Sequence, residues 1–324
     1  PDFEVIFVLD RCSDRTRAIL EPLVAVDPRL RILEVDHCPE DWAGKCNAAR
    51  RGAEVAEGDW LVFTDADVRF DPELLRAAVA LAREDRRQLL SLLSTLTLEH
   101  PFERIVQPAA SMQLLHQYPI QRINRRRFPR PFANGQFMLF DRETYERIGG
   151  HAAVKDELLE DIAFARAVHH AGGSGAVYLA DGMLEVSMYD SWPAFRTGWK
   201  RIFIEATKRS PRHLRRYAAR LAFVGAGLPL AETACLAGAV AVAAVGDLAV
   251  AAGVALPVVI AWPIRRWTLR GCYRLAGVDP RLAVWWPLGC LATASIMLEA
   301  ARDLVRRTPV RWGGREYRLE PGTG

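Results

Sequence analysis

The sequence lacks the cysteine patterns that organise disulfide scaffolds and zinc modules. Its six cysteines, Cys12, Cys38, Cys46, Cys235, Cys272 and Cys290, contain no Cys-x-x-Cys pair and no regular spacing. That pattern excludes a disulfide framework and suits a reduced, cytosol-facing soluble part. His37-Cys38 has no second ligand pair at zinc spacing, so no metal role is assigned to it. Internal repeats and low-complexity linkers are absent, which excludes a solenoid or a disordered tether. The chain opens on Pro1 without an initiator Met, signal peptide or targeting segment and runs at once into a strand, so it reads as a sequence cut at its front end. Charge is also scarce, but only locally. Between residues 221 and 264 the only charged residues are Glu232 and Asp247.

What is present is segregated. The 324 residues suffice for one sizeable α/β domain and something more. The net charge of +4 is modest, yet residues 121–130 hold five arginines and residues 196–220 hold nine Lys or Arg. Such clusters suit phosphate groups or anionic lipid. Residues 4–9 form a β-branched apolar run typical of a buried parallel strand. Helix-spaced residues 16–26, a strand at 31–35, a helix at 46–56 and a strand at 60–64 follow. Further on come a helix at 72–83, strands at 89–98 and 137–140, and a helix at 158–171 that ends at Gly172-Gly173. Strands at 177–179 and 184–188 complete the series. This alternation predicts a Rossmann-like, mostly parallel sheet with flanking helices, whose ligands gather at the carboxyl ends of the strands. Asp10, Asp65 and Asp67 all fall at such ends.

Residues 221–245 and 248–264 each approach the ~20 apolar residues that cross a bilayer. Residues 282–298 are a third candidate, with Trp285-Trp286 as an interfacial anchor. Basic segments before residue 221 and after residue 264 suit a two-span hairpin. A third span would carry the Arg-rich tail, residues 302–318, to the opposite side, against the positive-inside trend. The expected divisions are a catalytic domain (1–205), a basic interfacial segment (206–220), two or three membrane helices (221–300) and a basic tail (301–324).

The central chemical signal is Thr64-Asp65-Ala66-Asp67 after an apolar strand. Two carboxylates one residue apart on a turn can reach a ribose hydroxyl and a hard divalent cation, which in turn bridges diphosphate oxygens. Lys45 opens a helix, where it can meet phosphate or a nucleobase edge. Asp14 reads as a helix cap and Asp10 as a nucleoside contact. Glu160-Asp161 start a later helix. Their place in a first turn is favoured by the helix dipole alone, and their functional reading is a carboxylate base.

Taken in order, the runs EVIFVLDRCSDRT, GKCNAARRGAEVAEGDWLVFTDADVRF, NGQFMLFDRETYERIGGH and ELLEDIAFARAVHHAGG resemble a family 2 glycosyltransferase of GT-A fold across roughly residues 4–205. The segment Ser187 to Trp199, the apolar helices and the closing Arg311-Trp312-Gly313-Gly314-Arg315-Glu316-Tyr317 are similar to the bacterial branch that glycosylates lipids. That branch includes enzymes similar to ceramide glucosyltransferase and those of hopanoid and carotenoid pathways. The resemblance implies Asp10 at the uracil-binding turn, Lys45 near the nucleotide, Asp65 at the ribose or diphosphate, and Asp67 with Asp65 on Mg²⁺ or Mn²⁺. It implies Asp161, paired with Glu160, as the general base, and Asn134, Gly135 and Gln136 lining the donor-sugar and acceptor pocket. Inverting transfer from a UDP-sugar to a lipid hydroxyl at the cytosolic face of the bacterial inner membrane would follow, with no nucleic-acid partner.

The family's Gln-x-x-Arg-Trp segment is here Phe195-Arg196-Thr197-Gly198-Trp199. It keeps the Trp alone, which argues against a cellulose-synthase-like polymerase and leaves the diphosphate to Arg196, Lys200 or Arg201. The family's first strand, the turn after it and the amino-terminal membrane helix have no counterpart. An incomplete record is therefore expected, with impaired donor affinity for the chain as it stands. Two alternatives stay open: transfer to a polyprenyl phosphate or polysaccharide, and a silent membrane scaffold with a transferase-like domain.

Overall fold

The apolar runs form strands and the amphipathic ones helices, in the following order. From the amino end come β1 (Val5–Asp10), α1 (Thr16–Val26), β2 (Leu30–Val35), α2 (Gly44–Val55), β3 (Trp60–Thr64), β4 (Val68–Phe70), α3 (Leu74–Glu84), β5 (Leu89–Leu93) and β6 (Thr95–Leu96). Next are α4 (Pro101–Gln117), the short α5 (Ile120–Ile123), β7 (Phe137–Asp141), α6 (Arg142–Arg147), α7 (Glu160–His170), β8 (Gly175–Leu179) and β9 (Leu184–Val186). Helices α8 (Trp192–Ala206), α9 (Pro211–Ala222), α10 (Leu228–Ala244), α11 (Leu248–Leu275) and α12 (Trp286–Arg306) follow, then a small hairpin of β10 (Val310–Trp312) and β11 (Arg315–Tyr317). This computed structural model describes all residues except Pro1, Arg126, Phe128, Pro129, Leu158, Gly313, Gly314, Arg318, Thr323 and Gly324.

The chain forms two compact units: residues 1–95 with 118–186, and residues 96–117 with 187–324. The division therefore falls elsewhere than after residue 205, because residues 96–117 and 187–205 belong to the helical unit. The α/β class holds for the first unit. There β1 and β2 pair in parallel, with Asp10 opposite Val35. A four-stranded sheet has the order β3-β7-β5-β8, and three short strands the order β4-β9-β6. The sheets are mixed rather than mostly parallel, since β7 runs antiparallel to both β3 and β5 while β5 and β8 are parallel. β7 follows a long excursion instead of a strand–helix crossover, so nothing holds it to the parallel sense.

The central strands are buried on both faces, as their unbroken apolar runs require. Phe137, Met138, Leu139 and Phe140 of β7 are all inaccessible. Met138 and Phe140 pack with Phe164 and Val168 of α7 on one face. Phe137 and Leu139 pack with Leu74, Ala78 and Ala82 of α3 on the other. The strand expected over residues 89–98 ends at Leu93, and only Thr95–Leu96 resumes it. The helix expected over 158–171 is seen from Glu160, Leu158 lying outside the described residues.

Among the described residues, three segments of the helical unit are long and apolar enough to cross a membrane: Pro211–Ala244, Leu248–Leu275 and Pro280–Arg306. The most apolar windows of the first two are only 6% and 11% buried, against 39% for the third. α10 and α11 form a hairpin that turns at Gly246, whose φ of 95° favours glycine. Asp247 caps α11 by accepting from the Val250 N–H at 3.1 Å. Glu232 is neutralised by Arg265 across the hairpin at 2.5 Å. The two charges in the apolar stretch are thus a cap and half of an ion pair.

α12 is laid against α4, α8 and α9 by close backbone approach and by charge. A Cβ on Gly289 would run into the Ile105 carbonyl, and one on Gly225 into Cys290. Lys200 reaches Asp303 at 2.6 Å and Glu299 at 3.1 Å, and Arg196 reaches Glu299 at 2.6 Å. The Trp199 indole N–H donates to Gln107 Oε1 at 3.2 Å. Gly289→Ala should therefore destabilise the protein by about 1–3 kcal/mol, because a backbone carbonyl must move to admit the methyl. Gly238→Ala, with nothing within 4 Å of its added Cβ, should leave stability unchanged. Thermal unfolding in detergent checks the pair; equal effects would contradict this packing.

Candidate active site

The sheet order makes neighbours of two motifs far apart in the chain. β3 and β7 pair with Thr64 opposite Phe137. The turn Thr64-Asp65-Ala66-Asp67 therefore lies beside Asn134-Gly135-Gln136, and Thr64 Oγ1 donates to the Gln136 carbonyl at 2.8 Å. α2 brings Lys45 in its first turn and α7 brings Glu160 and Asp161 in its own. The four segments meet around Gly135. A Cβ there would lie 3.2 Å from Lys45 Nζ, 3.3 Å from Asp161 Oδ2 and 3.4 Å from Glu160 Oε1. A side chain there would press on these groups, and no unusual backbone angle is involved.

Lys45 joins the set. Its Nζ lies 2.6 Å from Asp65 Oδ1 and 2.6 Å from Glu160 Oε1. Partial burial pulls the ammonium down, but Glu160 and Asp65 outweigh it and hold Lys45 above the ordinary lysine range. The Glu160 side chain is only 7% exposed. Burial alone would raise its carboxyl, yet the Lys45 charge holds it below the usual value. Asp161 behaves oppositely. Burial and then the neighbouring Glu160 charge push its carboxyl up to about 6. Its oxygens accept from the Gly135 N–H at 2.8 Å and the Ile162 N–H at 2.7 Å, which fixes its orientation at the helix start.

Asp67 has a raised carboxyl as well, from burial first and then from Asp65. Among the described residues, no group of three or more His, Cys, Asp and Glu side chains could hold a metal unaided. Asp65 and Asp67 nevertheless fit a divalent ion as a two-carboxylate, oxygen-only partial donor set, to be completed by ligand oxygens.

Other residues singled out from the sequence take various places. Asp10 pairs with Arg11 at 2.8 Å. Its Oδ2 would lie 3.2 Å from a Cβ on Gly44, so it abuts the start of α2. Asp14 accepts from the Thr16 N–H at 3.0 Å, but the N-cap position of α1 is Arg15, one residue later than expected. The side chains of Asn134 and Gln136 are turned to internal partners. Asn134 Nδ2 donates to the Leu92 carbonyl at 2.8 Å and to Gln136 Oε1 at 3.0 Å, and Ser94 also donates to Gln136 Oε1 at 2.5 Å. Ser91 adds two bonds to the Asn134 backbone. Both side chains thus brace the loop that carries Gly135. Arg196, Lys200 and Arg201 lie on α8 in the helical unit, where Arg196 and Lys200 are engaged by Glu299 and Asp303.

Sequence reasoning missed the wall behind Glu160. Tyr145 Oη and His151 Nδ1 lie 2.8 Å apart in a buried pair. Burial takes His151 down to about 4, so it is neutral at physiological pH. The Phe63 and Phe164 rings flank it at 4.6 and 4.7 Å. No spacing signals this cluster, because its members come from four separate elements.

The full chain, residues 1–324, matches the family model described as Glycosyl transferase family 21. The motif resemblance was to family 2; both are glycosyltransferase families. Glycosyltransferase AglD of Haloferax volcanii is 38% identical over 81 residues, 25% of this chain and 12% of its own length. The 4,4'-diaponeurosporenoate glycosyltransferase of Staphylococcus haemolyticus is 23% identical over 214 residues, 64% of this chain and 56% of its own length. The matches thus span at most about half the length of these curated relatives. Among solved structures, S. aureus TarS 1–349 in complex with UDP-GlcNAc is similar with a TM-score of 0.40 and 12% identity, over 99% of this chain and 88% of that one. That likeness is too loose to bear on function.

Replacing Lys45 with Met should cost about 2 kcal/mol at neutral pH by leaving the Glu160 carboxylate without its counter-ion. A carboxyl held below its unfolded value of 4.5 contributes stability above that value and loses it as pH falls through the folded one. The gap between wild type and Lys45→Met should therefore close on acidification. Denaturant titrations at neutral and acidic pH measure it; a gap independent of pH would contradict the pairing.

Proposed function

Because the chain belongs to glycosyl transferase family 21, we propose that it transfers a sugar, with inversion, from a UDP-sugar to a lipid-borne hydroxyl at the cytosolic face of a bacterial inner membrane. The observation that carries this reading is the convergence of Lys45, Asp65, Glu160 and Asp161 around Gly135. It brings a cation for a diphosphate and a poised base to one spot.

Asp161 is the base. A carboxyl near pH 6 is ionised at neutral pH yet basic enough to take the proton from an acceptor hydroxyl. That oxygen attacks the anomeric carbon while the bond from that carbon to the diphosphate breaks on the opposite face, which inverts the centre. Lys45 meets the departing charge, and Glu160 keeps the ammonium in place. Asp67 and Asp65 would hold Mg²⁺ or Mn²⁺, which supplies further positive charge to the leaving diphosphate. Asp10 contacts the nucleoside, and Asn134 and Gln136 hold the Gly135 loop against the donor sugar.

A lipid acceptor is supported by the apolar helices of the same chain and by a relative named for 4,4'-diaponeurosporenoate. The Lys200 and Arg196 ion pairs with α12 favour a two-span hairpin, with the third apolar segment serving as a protein-facing helix.

Asp161→Asn should reduce transfer by about 10²–10⁴-fold with donor affinity nearly unchanged by calorimetry; a fully active variant would remove Asp161 as the base. The base works ionised, so wild-type turnover should rise with pH through about 6 and flatten above. UDP release should require divalent metal. Mn²⁺ binding followed by electron paramagnetic resonance should weaken in Asp67→Asn, and turnover that survives EDTA would sink the metal role.

A further inference from the structure

Several arginines of the helical unit are engaged within it: Arg196, Arg209 and Arg265 are tied to Glu299, Glu205 and Glu232, and Arg220 donates to Gln113. Arg266, Arg270 and Arg274 of α11 have no acidic partner among the described residues. They are four residues apart, and Trp262 lies one step before them, so the four side chains form one stripe along the helix. The Arg266 guanidinium sits 5.5 Å from the centroid of the Trp262 ring. Trp262 and the neighbouring Trp267 are 52% and 75% exposed.

The level of this stripe is set by the hairpin. From the turn at Gly246, residues 248–264 contain no charge and rise about 25 Å, close to the ~30 Å hydrocarbon core. The apolar run ends at Arg265, which Glu232 of α10 clasps with two contacts. Charged pairs near helix ends settle at the membrane interface, and exposed tryptophans mark the same depth. Arg266, Arg270 and Arg274 then follow over about 14 Å of helix, through the headgroup layer and into the first Debye length of ~8 Å beyond it.

We propose that Trp262, Arg266, Arg270 and Arg274 form a docking stripe for the phosphates of anionic phospholipid in the leaflet where the hairpin is rooted. The partner follows from charge complementarity. Three guanidiniums without an acidic partner among the described residues leave the hydrocarbon edge in line, where an anionic leaflet supplies counter-charge. Each such arginine strengthens attachment to an anionic surface by about fivefold. The proposal rests on the hairpin crossing the membrane, and the experiment separates the two.

The full chain is reconstituted in vesicles of phosphatidylcholine alone and of phosphatidylcholine with phosphatidylglycerol. Lipids retained after mild detergent extraction are then quantified by mass spectrometry. Wild type should retain phosphatidylglycerol over phosphatidylcholine by about tenfold or more, decreasing with salt. The variant Arg266→Gln/Arg270→Gln/Arg274→Gln should lose that preference while still incorporating into both vesicles. The corresponding triple Lys variant should keep it, which guards against a folding defect. Arg212→Gln/Arg215→Gln/Arg216→Gln, altered on α9, should keep it as well. Equal retention by wild type and the Gln variant, or loss only in the α9 variant, overturns the stripe. Abolition of the preference by inorganic phosphate overturns a lipid source in favour of a free anion. Failure to incorporate into either vesicle overturns the hairpin reading instead.

Discussion

One ammonium organises the α/β unit. Lys45 Nζ is shared between Asp65, at the end of β3, and Glu160, at the start of α7, at 2.6 Å each. These groups are separated by up to 115 positions of chain. The carboxylate of Glu160 is almost fully buried and would be costly there alone. Lys45 makes that burial tolerable and keeps Glu160 charged beside Asp161. The raised Asp161 carboxyl, with burial as its larger cause and Glu160 its second, is thus partly a consequence of the same pair. Removing the ammonium would alter the acid–base properties of the whole site, not one contact.

Much of this was legible in the sequence, for reasons that differ by residue. Asp65 and Asp67 follow an apolar strand, and carboxylates at strand ends announce a ligand site in an α/β sheet. Glu160-Asp161 and Lys45 were legible as helix-start residues, and the motif order tied them together. That Lys45 would bridge Asp65 and Glu160 was not legible, because it depends on β7 inserting antiparallel between β3 and β5. Strand sense is set by how the chain returns, which local patterning does not record. Asn134 and Gln136 illustrate the same limit. The family resemblance marked them as pocket residues, yet their amides are directed to Leu92, Ser94 and each other. The Tyr145–His151 pair left no trace in spacing at all.

In the helical unit, composition gave the helices but not their surroundings. Residues 282–298 are nearly as apolar as the two runs before them, and a hydropathy window responds to composition alone. What separates them is neighbour chemistry. Gly289 and Gly225 admit a backbone carbonyl and a cysteine, and Glu299 and Asp303 draw in Arg196 and Lys200. The Gly-containing apolar faces of α10 and α11 meet mainly one another and open space. The sequence conflict over a basic tail on the wrong side is relieved if α12 turns back along α9 rather than crossing. Positive charge then stays on one side, as the distribution of Lys and Arg demands.

The electrostatics of the site also constrain what can enter it. Asp65, Asp67, Glu160 and Asp161 face a single ammonium, and both Asp67 and Asp161 are held above the ordinary carboxyl range, in part by neighbouring negative charge. The nucleoside diphosphate of the proposed donor would add more negative charge, which positive charge arriving with it would offset. Asp67 and Asp65 would hold a divalent cation, which would supply that positive charge. Lys45, Glu160 and Asp161 would all lie within about van der Waals range of one methyl added at Gly135, so any larger side chain would press on these charges.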